Sequence, residues 1–216
     1  DAGTYVNIAA TLARTGTYVV HDDWGEVLGA HAPTMLREKY LRQRTSYLQF
    51  VGWYVDDQDS TRWVPQFFPF HPVLLSTGTS LAGVQGSLLV TPIWGVLDIL
   101  VVYLLTRELF GSRAAILAAT FLAVTPLQIW FSRYPTTEPL TLLLVFAGLL
   151  ALQMIWDDRS GSRVAVGVFG GAAFGAAFLT RIDLPLVLAV VVGFLISRWL
   201  AAQWHAGFTA FSVSLG

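Results

Sequence analysis

Seven ionisable side chains stand beside or inside long apolar stretches of this sequence, and their types limit the chemistry the chain could do. Asp1 precedes a short amphipathic stretch. Arg133 and Glu138 share the polar interval Ser132-Arg133-Tyr134-Pro135-Thr136-Thr137-Glu138-Pro139, and Arg181 and Asp183 flank Ile182 in another. His71 lies in a Pro/aromatic stretch, and Asp98 falls about twelve residues into an apolar run, roughly 18 Å along a helix. Charged groups are costly in lipid, so at such places they usually face a cavity or a partner. A carboxylate can take a proton from an incoming hydroxyl, and a guanidinium can hold a phosphate by paired hydrogen bonds. Two carboxylates and two arginines at the mouth of a helix bundle would therefore suit displacement of a phosphate leaving group by a hydroxyl. Helix caps and snorkelling anchors use the same residue types, and their placement alone does not separate the two readings.

Other clusters carry less. His21-Asp22-Asp23 could ligate a divalent metal, but without a third ligand at fixed spacing a solvated turn is favoured. Asp57-Gln58-Asp59-Ser60 opens like a calcium loop yet lacks its glycine and terminal glutamate. A divalent metal thus stays open and no cofactor is assigned. His31 and His205 have no partner pattern. Gly167, Gly170, Gly171 and Gly175 read as a smooth face for helix packing. The absence of cysteine excludes disulfides, thiolate metal sites and cysteine nucleophiles.

The elements that must position these groups are apolar. Of 216 residues, 55% are hydrophobic and 12% charged, with mean hydropathy +0.60. Soluble domains carry about 25% charged residues because their surface faces water. Residues 1–72 hold six of the thirteen Lys/Arg and eight of the fourteen Asp/Glu, so the remaining two-thirds is poorer still. No basic stripe points to nucleic acid. The apolar runs Gly86–Leu109, Ala114–Phe131, Leu140–Trp156, Val164–Thr180 and Leu184–Leu200 approach the roughly 17–25 residues of a spanning helix. Short spacers make neighbours antiparallel. Alternation puts Arg107, Arg113, Arg159, Arg163 and Arg198 on one side, which the positive-inside rule makes cytoplasmic. Asp1, Arg133, Glu138, Arg181 and Asp183 then share the other side. Trp94, Trp130, Trp156 and Trp199 sit near run ends, as interfacial aromatics do.

Residues 1–85 form a separate extracytoplasmic segment. Tyr5, Ile8, Ala9 and Leu12 repeat at helical spacing with Gly16 as a stop, which predicts an amphipathic surface helix. Pro33 predicts the start of a second helix through about Arg44. Tyr47–Val55 and Trp63–Phe68 read as a hairpin around Asp56–Thr61. The expected fold is an all-α multi-pass membrane bundle over residues 86–216 with a long first loop, a fragment of a larger protein.

Three segments resemble the GT-C type of polytopic glycosyltransferase, closest to its protein O-mannosyltransferase and aminoarabinose-transferase branch. They are Asp1-Ala2-Gly3-Thr4-Tyr5-Val6-Asn7-Ile8-Ala9-Ala10, Pro65-Gln66-Phe67-Phe68-Pro69-Phe70-His71-Pro72, and Trp130-Phe131-Ser132-Arg133-Tyr134-Pro135-Thr136-Thr137-Glu138. Thr180-Arg181-Ile182-Asp183 is a weaker fourth, similar to an Arg-Pro-Asp type turn. Residues 31–64 are longer than the corresponding region of the aminoarabinose transferases.

The resemblance implies an inverting transfer of sugar from a polyprenyl- or dolichyl-phosphate carrier to an acceptor glycan, lipid or protein. Asp1 resembles the family's catalytic carboxylate, and Glu138 its second acidic residue, which supports a metal or orients the acceptor. Arg133 and Arg181, chosen on charge and side, with Asp183 and His71, are candidates for the carrier phosphate, and Asp98 for the lipid cavity. The implied setting is the plasma membrane of a prokaryote, among membrane lipids. A transporter or flippase, or a non-catalytic membrane-complex subunit, are the competing classes. No internal repeat supports transport.

Overall fold

The computed structural model of the chain describes residues 2–21, 37–41, 45–50, 52–56, 59, 61–156, 162–200 and 206–215. The chain divides into two compact units, residues 1–90 and 91–216.

The first unit begins with helix α1 (Ala2–Thr15), which buries Tyr5, Ile8, Ala9 and Thr11. Gly16 ends it, its N–H bonding the Leu12 carbonyl at 2.9 Å. Five antiparallel strands follow: β1 (Val20–His21), β2 (Arg37–Leu41), β3 (Thr45–Phe50), β4 (Trp53–Asp56) and β5 (Arg62–Pro65), in the order β1-β5-β4-β3-β2. Pairing is in simple register: Lys39 faces Tyr47, Leu48 faces Val55, and Val55 faces Trp63. Thr, Tyr, Phe, Trp and Val fill β3 and β4, the residue types that suit a pleated surface.

Two expectations are corrected here. Arg37–Leu41 is not part of a helix running from Pro33 to Arg44, because β3 offers it a full row of backbone partners, and that pairing overrides local propensity. Among the described residues it is the last strand of the sheet on that side. Tyr47–Val55 is not one strand but two, turning at Gly52.

Helix α2 (Phe70–Phe110) starts well before Gly86 but is interrupted at Ala82 and Gly83. Gly83 has φ +64 and ψ −158, a conformation that suits glycine. In one straight helix Gly78 and Gly86 would lie about 12 Å apart. Here each approaches the other's carbonyl so closely that neither has room for a Cβ. The chain thus doubles back, and the apolar arm starts at residue 84. Val90 returns to pack on the first unit's cluster of Tyr5, Ala9, Leu75 and Phe67.

The second unit is helical among its described residues. After the last part of α2 come α3 (Ser112–Val124), α4 (Pro126–Arg133), α5 (Thr137–Trp156), α6 (Arg163–Phe178), α7 (Pro185–Leu200) and α8 (Ala206–Leu215). The single run expected over 114–131 is corrected: it breaks at Thr125, where Pro126 cannot donate to the helix ladder, and α3 and α4 meet at a bend of 58°. Helix α8 lies beyond the last expected run. Leu152, Ile155, Phe174, Val191, Leu195 and Phe211 form the core of α5–α8. Gly170 and Gly171 let α8 approach closely: a Cβ at Gly171 would collide with the Phe211 carbonyl and the Ser214 hydroxyl.

Helix α2 and helix α5 are long and apolar enough to cross a membrane, and α3 with α4 adds a third span if the bent pair counts as one. Leu89, Val96 and Leu100 on α2, Phe121 on α3, Ile129 on α4, Val168 and Phe169 on α6, and Leu186 and Val190 on α7 are exposed, a surface suited to lipid and not to water. The fold is that of an integral, multi-pass helical membrane protein.

Candidate functional site

The second unit draws two of the polar spacers together. Tyr134, Pro135 and Thr136 separate α4 from α5, and residues 179–184 separate α6 from α7. Antiparallel α5 and α6 bring these turns to one end of the bundle. Glu138 is in the first turn of α5, where the positive helix end favours a carboxylate. Pro185 opens α7 and fixes the backbone just after Asp183.

Arg181 joins the two turns. Its Nη1 donates to Glu138 Oε1 at 2.7 Å, while Nε and Nη2 donate to the two oxygens of Asp183 at 2.9 and 3.0 Å. The Asp183 contact is a two-pronged fork, the geometry a phosphate would also take. The paired hydrogen bonds from Arg181 hold the Asp183 carboxyl below its usual range. Asp183 in turn, followed by the charge of Glu138, holds the Arg181 guanidinium above its usual value. The Arg181 side chain is 33% exposed, Glu138 36% and Asp183 58%, so solvent screens the pairs and they contribute little to stability. Their effect is to fix geometry.

Below the triad lies a cleft of about 300 Å³ between α5 and α7, walled by Leu142, Val145, Phe146, Leu184 and Val187. Glu138, Thr141, Arg181 and Asp183 border it. Thr180 donates to the Ala177 carbonyl at 2.5 Å, so the 2.9 Å contact with Thr141 is donated by Thr141. Glu138 Oε2 is buried with no hydrogen-bond partner among the described residues. An unpaired carboxylate oxygen beside an apolar cleft can accept a hydrogen bond from a ligand hydroxyl. Arg133, at the end of α4, is exposed and makes no recorded ion pair with a described residue.

The site residues expected from sequence are thus partly brought together. Glu138, Arg181 and Asp183 form one cluster. Arg181 pairs with both carboxylates, so a phosphate at its fork would have to displace Asp183, and Arg133 is the less committed cation. His71 belongs to the first unit, fully buried with its ring edge-on to Tyr5 at 5.2 Å. Tyr18 in that unit donates to the Phe67 carbonyl, and burial, with the nearby Tyr5, pushes its pKa up to about 12. Asp1, Asp22, Asp23, His31, Asp57, Gln58, Ser60 and His205 lie outside the described residues. Among the described residues no group of three or more His, Cys, Asp or Glu could hold a metal.

Asp98 does not border that cleft; it pairs within the second unit. Gln128 Nε2 donates to its Oδ2 at 3.0 Å and contacts the Gly95 carbonyl at 3.3 Å. The sequence reading missed Gln128, although a polar residue two places after Pro126 in an apolar run was a signal. An acidic residue at a spanning-helix centre costs about 2.5–3.5 kcal/mol on insertion scales. One hydrogen bond between spanning helices returns roughly 0.6–1.7 kcal/mol. Stability alone does not account for Asp98.

Comparison with known proteins agrees with this architecture. The profile of the family "Dolichyl-phosphate-mannose-protein mannosyltransferase" matches residues 64–215. The chain is similar to dolichyl-phosphooligosaccharide-protein glycotransferase 3 of Archaeoglobus fulgidus, 32% identical over 136 residues that cover 53% of this chain and 15% of that protein. The crystal structure of ArnT from Cupriavidus metallidurans in the apo state shares the fold at TM-score 0.59 and 22% identity, over all of this chain and 35% of that one. The chain therefore spans about a third or less of the proteins it resembles. With its profile match over most of its length, it belongs to the dolichyl-phosphate-mannose-protein mannosyltransferase family, of the GT-C type of polytopic glycosyltransferase.

Proposed function

We propose that the full-length protein transfers a sugar, with inversion, from a polyprenyl- or dolichyl-phosphate carrier to an acceptor hydroxyl at the extracytoplasmic face of a membrane. The acceptor oxygen attacks the anomeric carbon, and the bond from that carbon to the phosphate oxygen breaks. The lipid phosphate leaves with the bonding electron pair, and the acceptor's proton passes to a carboxylate. Asp1 is the base in this reading. Glu138, with its unpaired Oε2, orients the acceptor hydroxyl.

The observation that carries the reading is the Arg181 fork at the head of an apolar cleft. A polyisoprenyl phosphate has the matching shape, a charged head on an oily chain. Its phosphate would compete with Asp183 for the fork, and Arg133 supplies further positive charge. The names of the matched family and of the archaeal relative both pair a dolichyl-phosphate carrier with a protein acceptor, so glycoproteins are the first acceptors to test.

The test is mass spectrometry of surface glycoproteins and glycans from cells with and without the full-length gene. Loss of one sugar from defined hydroxyl-linked sites on deletion is the expected result. Identical profiles under conditions where the gene is expressed would count against it.

A further inference from the structure

We propose that Asp98 is a positioning residue, which through Gln128 fixes the bent span α3–α4 and so holds the Ser132–Glu138 turn in its working place.

Helix α4 has only eight residues and follows a 58° bend, so nothing in its own length sets its direction. It is tied to α2 at two points one turn apart. Gln128 bonds Asp98 and Gly95, and Ser132 sits so close to Gly95 that no Cβ would fit there. Arg133 comes immediately after the second tie, and Glu138 five residues later. Asp98 is fully buried, and its Oδ1, Thr91 Oγ1 and Trp94 Nε1 have no hydrogen-bond partner among the described residues. A group kept at the centre of a span at a cost its single bond does not offset points to a geometric role.

The kinetic part of this inference rests on the glycosyl-transfer reading, so the experiment has two arms on the full-length protein. In the first, Asp98→Leu lowers kcat by about 10–100-fold with the KM for the lipid donor within about threefold, as expected for misplaced reacting groups. Gln128→Leu, which removes the same bond, reproduces the loss. Asp98→Asn still accepts from Gln128 and retains kcat within about threefold of wild type. Thermal stability of Asp98→Leu is not reduced. In the second arm, a single cysteine placed at Arg133 is labelled with a maleimide. Asp98→Leu changes the labelling rate severalfold, and Asp98→Asn restores it.

Wild-type kcat in Asp98→Leu or Gln128→Leu overturns the proposal. So does an Asp98→Asn as impaired as the leucine variant, which would make the carboxylate itself a chemical participant. If the labelling rates shift as described but the wild type transfers no sugar, the positioning role stands and the transferase reading falls. Unchanged labelling overturns the positioning role whatever the activity.

Discussion

Glu138 and Asp183 share one guanidinium through bonds of 2.7–3.0 Å, and the triad carries a net charge of −1 when all three are ionised. Such a cluster attracts a phosphate only if the incoming group displaces Asp183 from the fork. Arg181→Lys keeps the charge but loses the two-pronged geometry, so it should raise the KM for the lipid donor by about 10-fold, whereas Arg181→Met should cost more in kcat/KM. Steady-state kinetics with a polyprenyl-phosphate sugar checks both. The pH dependence has a definite sign. Asp183 is held below its usual range by Arg181, so the pairing is complete above the ordinary carboxylate value of about 3.9 and is lost as pH falls through the lowered one. The carboxyl signal of labelled Asp183 should therefore be flat from about pH 5 to 8 and move only below about 4. Charge and alternation were enough to expect Glu138, Arg181 and Asp183 near one another. They could not show that Arg181 is already occupied, because partners are chosen by side-chain reach across two turns.

Elements were legible where one physical effect dominates. Apolar runs marked α5, α6 and α7 to within a few residues, since lipid and core both select the same side chains. Strand β2 was not legible, because Arg37-Glu38-Lys39-Tyr40-Leu41 becomes a strand only through the neighbour it pairs with. The two interruptions were written in the sequence as Gly83 and Pro126, yet a continuous apolar run hides such breaks from a reading based on hydropathy. Close packing offers a test at this scale. Gly171→Ala should push α6 from α8 and cost about 1–3 kcal/mol, seen as a lower thermal midpoint in detergent. Gly193→Ala on α7, where a Cβ meets open space, should be neutral or gain up to about 1 kcal/mol. Equal effects would mean that α8 does not pack as described.

For the whole molecule, the arrangement places a polar cluster and an oily cleft at one end of an apolar bundle, the division a lipid-linked substrate requires. The arginine distribution is the ground for proposing that this end faces away from the cytoplasm. Cysteines introduced at Ser112 and Tyr134 in the full-length protein should differ, with an impermeant reagent on intact cells labelling the Tyr134 position and sparing Ser112. The reverse pattern would turn the bundle over. The most direct measurement is transfer by purified full-length protein from a polyprenyl-phosphate sugar, with Asp1→Asn and Glu138→Gln beside the wild type. We expect the wild type to release lipid phosphate and glycosylate the acceptor, and both variants to fold and fall by about 10²–10⁴-fold. Wild-type turnover by folded Asp1→Asn and Glu138→Gln would contradict the account.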